Sequence, residues 1–213
     1  MPSVHFYGSA LAVAVGLSMA GSAATSTPAA PLKQQAAAST GCTGTAHVYG
    51  VRRDGTLTYA PINAATNTKG RGLVGAKLPW PVRSLAALSH DTLLVTTTGG
   101  ALYRVDITSK TKTLKFATPV PMAYTGWTYD KLATDGAGHL FATLGTNGQL
   151  FRWDLLAKKP TGGQIANKVR MGSGVLVSTL TGVAGSRMMG TTTSGKLIGI
   201  NAPGAGRITL STL

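Results

Sequence analysis

The sequence predicts an all-β chain, a β-propeller of about four four-stranded blades, and three observations predict it. Four hairpin-like stretches recur in one register without a gap: Val48 to Leu57, Leu93 to Leu102, Phe141 to Leu150 and Met188 to Leu197. Their turns read Asp54-Gly55, Gly99-Gly100, Asn147-Gly148 and Ser194-Gly195, pairs that tolerate the positive φ angles of a tight hairpin. The shared glycines lie 45, 48 and 47 residues apart, the spacing of a repeating propeller blade. Beyond the N-terminal segment no stretch holds a helical period, and each hairpin runs on into an alternating apolar strand.

In chain order, residues 1–24 resemble a secretory signal peptide, apolar or small from Ser9 to Ala20 and then Gly21-Ser22-Ala23-Ala24, which implies an extracellular protein. The apolar run is too short to span a bilayer comfortably, and Met1 to Tyr7 lacks the Lys or Arg that export signals ordinarily carry. Residues 25–45 form an Ala, Ser, Thr and Pro leader with too little apolar surface to order itself. Cys42 is the only cysteine, which leaves no intramolecular disulfide and no cysteine-based zinc site.

The propeller domain is assigned to residues 46–213. A short strand precedes three of the hairpins, at Leu85 to Leu88, Leu132 to Thr134 and Leu180 to Val183. The first unit has no such partner, because Thr40-Gly41-Cys42-Thr43-Gly44 is poor strand material. Third strands begin at Leu57, Leu102, Leu150 and Leu197, and fourth strands are expected at Thr113 to Phe116, Ile165 to Val169 and Ile208 to Leu210. A lone meander of this kind leaves apolar faces open, so successive units stack around an axis. Whether four blades close in one chain or a partner copy completes an incomplete ring stays open, and a β-sandwich is the alternative fold.

The formal charge is +14, from twenty Lys and Arg against six acids, all of them Asp. Such a surface favours acidic polymers: teichoic acid, acidic polysaccharide or nucleic acid. The bases are scattered, with Lys110, Lys112 and Lys115 the nearest thing to a cluster, and scattered charge also serves plain solubility.

The third unit reads Gly126-Trp127-Thr128-Tyr129-Asp130-Lys131-Leu132, then Asp135-Gly136-Ala137-Gly138-His139-Leu140-Phe141-Ala142, then Gly148-Gln149-Leu150-Phe151-Arg152. This stretch resembles the repeat of the tachylectin-like propeller lectins, and the repeat pattern extends over residues 46–213. The resemblance implies a secreted lectin that takes N-acetylated sugars such as N-acetylglucosamine, in cell-wall or chitin-like polymers, in pockets between blades. The family pattern has five repeats against four here.

A sugar site needs an aromatic face for the pyranose ring and a few fixed polar groups beside it. Trp80 and Trp127 stand next to glycine or proline ahead of inner strands and supply candidate faces, with inter-blade packing as the other reading, and Tyr129 accompanies Trp127. Trp153, in mid-strand, reads as core. Asp106 and Asp154 occupy repeat-equivalent places, with Asn201 in the fourth unit, and they either bind a ligand once per blade or cap turns. Asp130 and Asp135 flank the family-like stretch and carry the same two readings.

Catalysis is not expected, since no pair of carboxylates stands out for acid–base work and the histidines occur singly. No cofactor or metal is expected. Gly70-Arg71-Gly72-Leu73-Val74-Gly75 fits the dinucleotide fingerprint literally but lacks the helix and acidic residue that give it a mechanism, so it reads as a chance loop.

Overall fold

The computed structural model describes residues 44–213. The signal-like stretch 1–24, most of the leader and Cys42 lie outside the described residues. Four antiparallel sheets follow one another round a ring, forming a four-bladed β-propeller.

Blade 1 holds β1 (Thr45–Val51), β2 (Thr56–Asn63), the two-residue β3 (Thr68–Lys69) and β4 (Leu73–Lys77), with β3 and β4 both pairing β2. Blade 2 holds β5 (Val82–Ser89), β6 (Thr92–Thr97), β7 (Leu102–Lys110), β8 (Leu114–Phe116) and β9 (Val120–Ala123), with β8 and β9 both on β7. Blade 3 runs β10 (Lys131–Thr134), β11 (His139–Leu144), β12 (Gln149–Leu155) and β13 (Ile165–Gly172). Blade 4 runs β14 (Thr179–Gly182), β15 (Arg187–Thr191), β16 (Leu197–Gly204) and β17 (Arg207–Thr212).

The repeat glycines sit where the hairpins need them. Gly55, Gly100, Gly148 and Gly195 have φ of +88°, +80°, +59° and +80° in the turns β1–β2, β6–β7, β11–β12 and β15–β16. This register aligns β1 with β6, β11 and β15. The counterparts of β5, β10 and β14, the innermost strands, are therefore missing from blade 1 among the described residues.

Three buried clusters hold the blades together. Tyr49, Leu57 and Tyr59 of blade 1 meet Leu85, Leu93 and Val95 of blade 2. Ala86, Leu94 and Leu102 meet Tyr129, Leu132 and Leu140 of blade 3, and Phe141, Leu150 and Met171 meet Leu180, Met188 and Ile200 of blade 4. Odd and even positions of β6 thus serve different neighbours, as the two-residue period of a strand requires. Each such leucine contributes ~1.5–3 kcal/mol of burial. Among the described residues, no buried cluster joins blade 4 back to blade 1.

The inner strands approach closely. The hydroxyl of Thr134 in β10 donates to the Ala87 carbonyl of β5 at 2.6 Å. A Cβ on Gly182 of β14 would meet the Thr134 carbonyl oxygen at 1.7 Å, so only glycine allows that contact.

The fingerprint-like Gly70 to Gly75 segment leads into strand β4 and opens no helix. A Cβ on Gly75 would lie 2.9 Å from the Leu114 carbonyl oxygen of β8, which gives the glycine a packing reason.

Candidate functional site

A cavity of about 540 Å³ opens where the ring's inner elements converge. It is bounded by Gly50 and Val51 at the end of β1, the turn Arg52 to Gly55, the connection Lys77 to Pro81, and the first residues of β5, β10 and β14. Every blade contributes to it.

Its wall is strongly cationic. Arg52, Arg53, Lys77, Arg83 and Lys131 line it, against Asp54 and Asp130. Both acids already serve the fold. Asp130 pairs with Arg83 at 3.2 Å, bridging blades 2 and 3, and accepts the Gly145 N–H at 2.9 Å. Asp54 accepts the Thr56 N–H at 2.9 Å across its own turn, and the hydrogen bonds from Thr56 hold its carboxyl below the usual carboxylate range. What remains is an excess of positive charge around a concave space, the arrangement that concentrates anions.

The aromatic candidates separate. Trp80 lies in the cavity wall, half-buried and stacked on Tyr103 with ring centroids 4.1 Å apart. Trp127 and Tyr129 belong to a different place, an aromatic cluster between blades 2 and 3 with Phe151 and Trp153. Trp127 and Trp153 lie 5.0 Å apart, Tyr129 and Trp153 are buried, and the Lys168 ammonium sits 4.6 Å from the Phe151 ring centroid. Edge-on and tilted rings of this kind pack well as core.

The remaining aspartates hold loops and seams. Asp106 takes an ion pair from Arg104 at 3.1 Å and another from Lys159 at 3.6 Å, while Arg104 also donates to the carbonyls of Lys159 and Pro160. Asp154, its counterpart one blade on, pairs more loosely with Arg152 at 3.8 Å and accepts from Asn167 at 2.9 Å. Asp135, 2% exposed, accepts from the amides of Ala137, His139 and Ser186 and from His139 Nδ1 at 2.7 Å. Burial works against its charge, yet the His139 ring and the amides of Ala137 and His139 hold its carboxyl below the usual range. Because Ser186 belongs to blade 4, Asp135 ties blade 3 to its neighbour.

Of the sequence candidates, Trp80 and Asp130 come together at the cavity; Trp127 with Tyr129, Asp106, Asp154 and Asp135 each stand elsewhere. The residues that sequence reading missed are the five cavity cations. One signal pointed to two of them: Arg83 and Lys131 lie 48 residues apart, the separation of Gly100 and Gly148, and so occupy the same place in successive blades. Lys110, Lys112 and Lys115 do not line the cavity; Lys110 instead donates to the His90 carbonyl.

Fold and cavity together define a β-propeller with a cationic central cleft. No family model matches the chain, and no curated protein matches it. Among solved structures it is similar to the β-propeller domain of Cps50 (Swd1) from Myceliophteria thermophila, with 13% identity and a TM-score of 0.35 over 78% of this chain. The likeness covers 50% of that protein's chain. Among the described residues, no helix is long and apolar enough to cross a membrane, and no group of three His, Cys, Asp or Glu side chains is placed to hold a metal.

Proposed function

We propose that this propeller is a non-catalytic binding module, exported from the cell, that takes an acidic ligand into the central cleft. The observation that carries this reading is the convergence on one cavity of five cations from three blades, Arg52, Arg53 and Lys77 of blade 1, Arg83 of blade 2 and Lys131 of blade 3, against two acids, of which Asp130 is held by Arg83 and Asp54 by its own turn.

The test is retention on immobilised polyglutamate, polygalacturonate and neutral chitin over a series of salt concentrations. Binding to both acidic polymers that weakens steeply with salt, with little on chitin, is the expected result. A second reading, an N-acetyl sugar site, is favoured by Trp80 in the wall with Tyr103 behind it, a platform on which a pyranose face could stack. Salt-insensitive retention on chitin, released by free N-acetylglucosamine and lost in Trp80→Ala, would replace the acidic reading with that one.

A further inference from the structure

We propose that the acidic ligand is an extended peptide that adds as a strand to the inner edge of β1. This deepens the reading above and rests on it.

The edge follows from the ladder. Arg52 N–H donates to the Thr56 carbonyl and Ala64 N–H to the Gly44 carbonyl, at 2.9 Å each. In the register of β1 against β2, these bonds assign Ala46, Val48 and Gly50 to the hydrogen-bonded pairs. The backbone N–H and C=O groups of His47, Tyr49 and Val51 therefore point the other way, and among the described residues β1 pairs with β2 alone. In the other three blades β5, β10 and β14 occupy that edge. Among the described residues, blade 1 thus presents a row of backbone groups with no strand partner, the arrangement that templates strand addition.

The cavity borders the C-terminal end of this edge. Gly50 and Val51 form one wall, and the starts of β5, β10 and β14 form the others. A peptide of four to six residues spans ~13–20 Å when extended, and its alternate side chains share a face. Aspartate or glutamate at those alternate positions would meet Arg52, Lys77, Arg83 and Lys131. The charge selects this occupant over the two nearest alternatives. Residues 25–43 carry one charged side chain, Lys33, and no acid, and a second copy of a chain at +14 brings like charge.

The experiment uses the full chain and a capped eight-residue peptide of alternating Glu and Val. Two further versions are N-methylated, one at every Glu and the other at every Val, so that each blocks one edge of the peptide while keeping its charge. One methylated version should lose about a hundredfold in affinity and the other about threefold or less, because only one edge of an added strand meets β1. Hydrogen exchange should show the amides of His47, Tyr49 and Val51 slowing when the unmodified peptide is added. Val51→Pro, which removes an edge donor while keeping the ladder to β2, should weaken binding about tenfold.

Equal binding of all three peptides, matched by polygalacturonate, would overturn strand addition and leave the acidic-ligand reading standing. Exchange protection of those three amides in the free chain, together with protection within residues 25–43, would give the edge to the chain's own leader and also overturn it. Failure of every acidic probe at low salt would remove the underlying reading as well.

Discussion

Blades 2 and 3 and blades 1 and 4 are built from one repeat, but they have different surroundings. β6 is buried at all six positions and β11 at its four central ones, whereas only Tyr49 is fully buried in β1, and β15 alternates between buried and open sites. The sequences match: Leu93-Leu94-Val95 and Leu140-Phe141-Ala142 are continuous apolar runs, while Val48-Tyr49-Gly50-Val51 and Met188-Met189-Gly190-Thr191 are interrupted. A strand between two sheets needs apolar side chains on both faces; one with a single packed face needs only every second residue. Hydrophobic runs in this repeat therefore report a blade's position in the ring.

That contrast can be broken at its tightest point. Gly182→Ala should cost roughly 4 kcal/mol or more, or prevent folding, because the new methyl would collide with the Thr134 backbone at the blade 3–4 seam. Urea unfolding measures this, and a near-neutral result would mean that the inner strands lie farther apart than described. Leu94→Ala, fully buried between blades 2 and 3, should cost about 3 kcal/mol, and Leu197→Ala on the open side of blade 4 less than about 1 kcal/mol. Equal losses at the two sites would erase the distinction between middle and terminal blades.

Asp135→Asn sharpens the same seam and should cost about 2 kcal/mol in loss of its hydrogen bonds. Its folded-state pKa lies below the unfolded value, so its contribution is fully present above the ordinary aspartate range and is lost as pH falls through the folded value. A denaturation midpoint followed below about pH 4 should therefore fall more steeply in the parent chain than in Asp135→Asn. The smallest stability effect belongs to the double variant Arg52→Glu and Lys77→Glu, exposed and at the cavity, within about 0.5 kcal/mol of the parent. Its binding to polyglutamate should nevertheless drop about tenfold, with a shallower dependence on salt.

Hairpins were legible because glycine at positive φ is a local requirement, written wherever a tight turn occurs. The inner strands of blades 2, 3 and 4 were legible from their apolar residues, whereas Thr40 to Thr43, the weak strand material ahead of blade 1, lie outside the described residues. Outer strands were less so. β4 hid inside a glycine-rich motif and β9 follows Pro119 and contains Pro121, because strands at the rim pack on little and tolerate such residues. The cavity cations stayed hidden for another reason: Arg52 and Lys131 lie far apart in the chain, and only the closing of successive blades brings them to one wall. Nothing in the local sequence distinguishes Trp80, which reaches the cavity, from Trp127, which joins the core of its own seam.

Among the described residues, buried clusters seal three of the four seams and none seals the one between blade 4 and blade 1. Packed apolar contact makes a joint stiff, so in the described part of the disc the resistance to bending is built into three joints in series, as in a split washer.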